Sequence, residues 1–227
     1  MPVRSEKGLD RDGLIKVCGL THPADARAAL AAGADLAGLI FSDSPRRVVA
    51  REIKEWVASL RSEFPRAAWV GVFLPEDRNM IPSVLEELKL DLIQCHGAPL
   101  PPEVYQYGLP VMPCLRIGGK RPAPPDEESG AWALLLDTYD PDRAGGTGRP
   151  FPWEWIEGWS RQRRIILSGG LGPDNVGPAI HAVQPQGVDA SSRLERGQGR
   201  KDLDAVRAYI EKARHAFNEL GGRPSGK

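Results

Sequence analysis

The chain runs to 227 residues, 41% hydrophobic and 26% charged, a size that suits one barrel-sized domain better than two small ones. Its 30 basic and 30 acidic residues cancel, and no basic run interleaves with aromatics, so neither charge nor pattern points to a nucleic-acid partner. Three cysteines (Cys18, Cys95 and Cys114) cannot all pair and show no CxxC spacing, which disfavours a disulfide framework or a zinc site and fits a reducing cytoplasm.

Residues 1–13 are polar and carry no apolar h-region, so they are expected to form a flexible tail and not a signal peptide. Leu14-Ile-Lys-Val-Cys18 is the first strand, broken at Gly19; Pro23 then opens a helix through Asp25–Ala32 that stops at Gly33. Leu36–Phe41 is the second strand. Ala50–Phe64 follows as a helix, with Ile53, Trp56, Val57 and Leu60 at helical spacing and Pro65 at its end. Ala68–Phe73, Leu92–Cys95 and Val111–Leu115 are the next three strands, joined by a helix over Ile81–Leu88 and a short one over Pro101–Tyr107. Arg116–Gly130 is too rich in Pro and Gly for a fifth helix. Ala133–Leu136, Arg164–Leu167 and Gly187–Ala190 complete the strands, with helices beginning at Trp153 and spanning Pro173–Ala182 and Asp202–Leu220. Residues 221–227 are expected to fray.

Short apolar strands alternating with helices imply a parallel sheet covered on both faces. At this length a closed (β/α)8 TIM barrel with an irregular fifth crossover is favoured over an open doubly wound sheet, with residues 14–220 as its single catalytic domain. No G-x-G-x-x-G follows an early strand and no G-x-x-x-x-G-K-[ST] occurs, so nothing calls for a nucleotide.

In such a barrel the functional residues lie where the strands stop. Asp137 ends the sixth strand, ahead of Gly145-Gly-Thr-Gly148. An acid there suits a catalytic acid beside a ligand-closing loop; alternatively Asp137 caps local backbone and the glycines turn the chain. Gly169 and Gly170 after the seventh strand, with Ser191 and Ser192 after the eighth, offer N–H groups and hydroxyls that can cradle a phosphate, or they are ordinary turns. Cys18 ends the first strand with Lys16 two positions back on the same face, where an ammonium favours a thiolate. A Cys/Asp pair suits proton transfer, the thiolate taking a proton from carbon while the acid gives one to oxygen. The alternatives are Cys18 as a small core residue, or as a covalent nucleophile with His96 as its base. Cys95 and Cys114 lie within apolar strands and are assigned to the core. Gln94 and His96 end the fourth strand. Arg46 follows the second, where a guanidinium can clamp a planar carboxylate or lie solvated beside Arg47 and Arg51.

Lys16-Val-Cys-Gly-Leu-Thr21, Ser44-Pro-Arg46, Gln94-Cys-His-Gly97, Leu136-Asp137, Gly145-Gly-Thr-Gly148, Ser168-Gly-Gly-Leu171 with Pro173-Asp-Asn-Val176, and Val188-Asp-Ala-Ser-Ser192 with Lys201-Asp202 run in order from about Leu14 to Leu220. Together they resemble the phosphoribosylanthranilate isomerases of tryptophan biosynthesis. The resemblance implies a cofactor-free, metal-free isomerase that performs an Amadori rearrangement of N-(5-phosphoribosyl)anthranilate to 1-(2-carboxyphenylamino)-1-deoxyribulose 5-phosphate. It implies Asp137 as the general acid at the furanose ring oxygen and Cys18 as the base at C2′. It also implies Arg46 on the anthranilate carboxylate, Gln94, His96, Gly145, Gly146 and Thr147 against the substrate, and Gly169, Gly170, Ser191 and Ser192 on the phosphate.

The expected partner is a small-molecule phosphosugar, met in the cytoplasm without nucleic acid or membrane, by a monomer or homodimer. Another phosphosugar barrel would be expected to show paired catalytic aspartates and a half-barrel repeat, and neither is visible. A non-catalytic phosphate-binding barrel is argued against by Cys18 and Asp137 together. One departure stands out: Arg193 occupies the position after Ser191-Ser192 where the resembled family usually has Gly. Its guanidinium is expected either to reach the phosphate or to fold out into solvent.

Overall fold

The computed structural model describes residues 8–97, 102–123, 130–138 and 151–221. Eight parallel strands close on themselves in chain order: β1 (Leu14–Val17), β2 (Leu36–Ile40), β3 (Ala68–Phe73), β4 (Leu92–His96), β5 (Val111–Ile117), β6 (Leu134–Thr138), β7 (Ile165–Leu167) and β8 (Gly187–Ala190), with β8 back beside β1. This is the TIM barrel expected from the apolar runs. The strands are short, and β1, β3, β7 and β8 are buried throughout, which is why they lack the polar alternation of a half-exposed strand.

Two apolar layers follow from that closure. Inside the barrel, Leu14, Cys18, Leu36, Val70, Leu92, Met112, Cys114, Leu135 and Ile166 pack together. Outside, the alternate residues, such as Ile15, Val17, Trp69, Ile93, Leu136 and Leu167, pack against the helices. Those helices are α1 (Pro23–Ala31), α2 (Ala50–Glu63), α3 (Ile81–Glu87), α4 (Trp159–Gln162), α5 (Val176–Val183) and α6 (Leu203–Gly221).

The helix boundaries have local causes. The ring of His22 accepts the Ala24 N–H at 3.3 Å and Pro23 sits in the first turn of α1. At the start of α6, Asp202 Oδ1 accepts the N–H groups of Asp204 and Ala205 at 3.0 and 3.1 Å. The helix expected from Trp153 is instead a 3-10 turn (Trp153–Ile156) and then α4, because Gly158 between them adopts φ +80°. The helix expected from Pro173 starts three residues later, at Val176. Asn175 ties the preceding turn, accepting Gly172 N at 2.8 Å and donating to Gly170 O at 2.9 Å. Among the described residues no helix joins β5 to β6.

Residues 8–13 do not behave as the tail expected of them. Leu9 is 1% exposed and joins the cluster inside the barrel. The Arg164 guanidinium holds the segment in place, donating to the carbonyls of Leu9, Asp10 and Arg11 at 3.0, 2.9 and 2.9 Å. This segment lies at the end of the barrel where the strands begin, so the opposite end is left for the site.

Candidate active site

Lys16 and Cys18 project into the barrel from the end of β1. Lys16 is completely buried, and its Nζ donates to Asp189 Oδ1 at 3.0 Å across the β1–β8 seam, where the two residues are register partners. Burial disfavours the ammonium, but the Asp189 carboxylate and the interaction with Cys18 outweigh it and the Lys16 pKa lies above its ordinary range. Burial pushes the Cys18 thiol up; Lys16, which hydrogen-bonds it, and more weakly Lys201 pull back without cancelling that push. The resting group at neutral pH is therefore the thiol, with an ammonium in contact to receive the charge when the proton leaves. Gly38 on β2 makes the room: a Cβ there would lie 2.8 Å from Cys18 Sγ and 3.1 Å from Lys16 Nζ.

At the end of β6, Asp137 meets His96 from β4, with Nε2 and Oδ2 3.7 Å apart and both side chains about a quarter exposed. Burial and repulsion from Asp189 push the Asp137 carboxyl up to about 6, against a backbone N–H bond from Thr138. His96 moves the other way: burial first, then Arg116 and Lys16, bring it down to about 4. The pair is thus a neutral imidazole beside a carboxyl that holds a proton much closer to neutrality than a surface aspartate does. Gln94, one inward position below His96, is 2% exposed, and its Oε1 has no hydrogen-bond partner among the described residues. Among the described residues, only His96, Cys114 and Asp137 group their donor atoms closely enough to suit a metal ion.

Arg46 is not a solvated surface arginine. Its Nε and Nη2 donate to Glu195 Oε1 and Oε2 at 2.6 and 2.8 Å, a bidentate pair that raises the guanidinium pKa and leaves the Nη1 edge to meet a ligand. Its stem crosses Gly19 closely enough that a Cβ there would lie 2.5 Å from Cδ. Glu195 is held in turn by the fully buried Lys201, whose Nζ donates to Glu195 Oε1 and to the Ser191 carbonyl, each at 3.1 Å. Glu195 opens β9 (Glu195–Gly197) and Lys201 ends β10 (Arg200–Lys201), an antiparallel pair folded over the strand ends. Glu195 lies in no motif of the sequence. The only signal available was an acid near Lys201-Asp202, and no periodicity predicts that hairpin.

Gly169 and Gly170 follow β7 with φ +87° and +68°, and a Cβ on Gly169 would lie 2.3 Å from Thr138 Oγ1. Ser191 donates its hydroxyl to the Cys18 carbonyl at 3.1 Å, which ties the end of β8 to the end of β1. Ser192 opens a 3-10 turn (Ser192–Leu194). Arg193 does not lie free in solvent: it grips Asp174 through Nη2 at 2.7 Å to both carboxylate oxygens, and its Nη1 donates to the Gly170 carbonyl at 3.4 Å, beside the cradle. Gly145, Gly146 and Thr147 lie outside the described residues.

The family model for N-(5'phosphoribosyl)anthranilate (PRA) isomerase matches residues 15–212. A relative named N-(5'-phosphoribosyl)anthranilate isomerase, from Desulforudis audaxviator, is 39% identical over 206 residues, covering 90% of this chain and 99% of its own length. The crystal structure of phosphoribosyl anthranilate isomerase from Thermotoga maritima superposes with a TM-score of 0.77 at 32% identity, covering 89% of this chain and 98% of that one. A second isomerase structure, solved in complex with reduced 1-(o-carboxyphenylamino)-1-deoxyribulose 5-phosphate, superposes with a TM-score of 0.72 at 30% identity, covering 89% of this chain and 98% of that one.

Proposed function

The chain belongs to the N-(5'-phosphoribosyl)anthranilate isomerase family of tryptophan biosynthesis, and from that premise we propose that its aldose–ketose isomerisation runs on Asp137 as acid and Cys18 as base. The observation that carries this assignment is that one barrel mouth holds both a carboxyl raised to about 6, at the end of β6, and a thiol contacted by a buried ammonium, at the end of β1. Asp137 gives its proton to the furanose ring oxygen as the C1′–O bond breaks, and the anthranilate nitrogen supplies the electron pair that forms the Schiff base. Cys18 then takes the proton from C2′, and those electrons neutralise the iminium as an enolic amine. Ketonisation moves the O2′ proton out and places one on C1′, giving the 1-amino-1-deoxyketose.

The supporting residues divide the substrate between them. Arg46, oriented by Glu195, meets the anthranilate carboxylate with its remaining edge. Gly169, Gly170, Ser191 and Ser192 receive the phosphate, and Gly145, Gly146 and Thr147 help cover the sugar. His96, neutral, hydrogen-bonds the substrate beside Asp137, while Gln94 supports it from below. Lys16 lowers the cost of the Cys18 thiolate at the moment it forms.

The test follows the fluorescence of phosphoribosylanthranilate, generated in situ, as it is consumed. Wild-type turnover that falls by roughly 10²-fold or more in both Cys18→Ala and Asp137→Asn establishes both roles. Turnover that survives Cys18→Ala discards that base and leaves Asp137 in place.

A further inference from the structure

Cys114 has no part in that chemistry, yet it stands directly beneath it. On β5 it is the register partner of His96 on β4, and on the other side it neighbours Leu135, two residues before Asp137 on β6. Side chains two apart on a strand share a face, so the inward positions of three adjacent strands bring together an imidazole, a thiol and a carboxylate. Their donor atoms all lie within 4.8 Å of one another, and His96 Nε2 and Asp137 Oδ2 are 3.7 Å apart. Ligands on one tetrahedral zinc ion, at bond lengths of about 2.0–2.3 Å, sit roughly 3.3–3.6 Å apart. The His96–Asp137 separation is already close to that value, and the thiol, within 4.8 Å of both, needs a shift of no more than about 1 Å.

We propose that His96, Cys114 and Asp137 form a site for a thiophilic divalent cation of the zinc class, and that an ion held there stops turnover. The donor set fits. A thiolate and a carboxylate neutralise the charge of the ion, the nitrogen suits a borderline-soft metal, and three protein ligands leave a fourth position open toward the barrel mouth. Cys114 is 2% exposed and lies on the inner wall, while His96 and Asp137 are each about a quarter exposed, so the ion enters from solvent past the two outer ligands. The Cys114 thiol proton leaves to water on binding. Below His96 the inward amide oxygen of Gln94 is buried with no partner among the described residues, an acceptor available to the inner face of the coordinated group. Burial of Cys114 and the cations Lys16 and Arg116 oppose any divalent ion here, so the bonds to sulfur and nitrogen must supply the affinity, and these favour a thiophilic metal over a hard one such as Mg²⁺.

That the ion inhibits rests on the reading of Asp137 as the acid, whereas the binding does not, and two readouts separate them. Cobalt(II), added to chelator-treated protein, is expected to give a thiolate-to-metal charge-transfer band saturating at one equivalent. The band should be lost in Cys114→Ala and kept in Cys18→Ala and Cys95→Ala. Zinc is expected to abolish wild-type turnover reversibly to EDTA, and Cys114→Ala, with zinc-free turnover like the wild type, should need about tenfold more zinc or higher. No band in the wild type, or a band that follows Cys18 and survives Cys114→Ala, overturns the site. A Cys114-dependent band with undiminished turnover upholds the site and overturns Asp137 as the acid. Far-UV circular dichroism of Cys114→Ala excludes loss of fold, and Cys114→Ser, which keeps the volume and weakens the donor, provides a second variant.

Discussion

Lys16 Nζ and Asp189 Oδ1 meet at 3.0 Å inside the barrel, with 0% and 6% of their side chains exposed. A charge pair so enclosed has lost its hydration, and each member is tolerable only because the other is present. Removing one leaves an uncompensated charge in an apolar wall. Asp189→Asn is expected to destabilise the protein by about 3–5 kcal/mol, and Lys16→Met by a similar amount, in urea unfolding at unchanged slope. The double variant Lys16→Met with Asp189→Asn should recover much of that loss, since it removes both charges together. Losses that simply add would show that the two residues do not act as a pair.

The acid–base assignment predicts a bell-shaped profile of kcat/KM against pH, measured in EDTA. The active form has Asp137 protonated and Cys18 ionised. Below about 6 Asp137 is already protonated and each added proton only removes thiolate, so the rate falls as pH falls. Between the two pKa values the gain in thiolate and the loss of carboxylic acid cancel, giving a plateau. Above the Cys18 pKa, itself raised by burial, the thiolate is complete and the acid continues to disappear, so the rate falls again. An acid limb near the unperturbed carboxylate range of about 4 would remove the role given to the raised Asp137.

Arg46→Lys separates binding from chemistry. The bidentate contact with Glu195 cannot be reproduced by an ammonium, so the clamp loses its fixed orientation. KM is expected to rise about tenfold with kcat within about threefold, the mark of an interaction equal in ground and transition states. A collapse of kcat at unchanged KM would move Arg46 into the chemistry.

Gly169→Ala tests the phosphate end. The residue sits at φ +87°, and the added Cβ would fall 2.3 Å from Thr138 Oγ1 and 2.4 Å from the Thr138 N. Stability is expected to fall by more than about 1 kcal/mol, and KM to rise more than kcat falls. Unaltered KM would place the phosphate elsewhere.

The barrel was legible in the chain because the strands are mostly apolar runs of three to seven residues, too short for a helix. The residues proposed here as base and acid were legible through their positions at strand ends, Cys18 after β1 and Asp137 within the last two residues of β6. The partners of those residues were not. Glu195 acquires its role only when the β9–β10 pair folds back over Arg46, and short strands of Glu, Arg, Gly and Lys carry no periodic pattern. The partner of Arg193 is a second case: its pairing with Asp174 depends on where α5 begins. Gly38 is a third case, a glycine in a buried strand whose purpose is to clear space for a cysteine on the neighbouring strand.

Leu9, seated in the barrel interior and clasped through the backbone by Arg164, acts as a stopper in the base of the vessel. A vessel stoppered below fills and empties through a single neck, so the phosphosugar that enters and the ketose that leaves share one passage. The same stopper tells the protein engineer where to cut. A fusion or tag ending ahead of Gly8 leaves the seal intact, whereas trimming to Gly13 uncorks the apolar bore of Leu14, Leu36 and Ile166 to water.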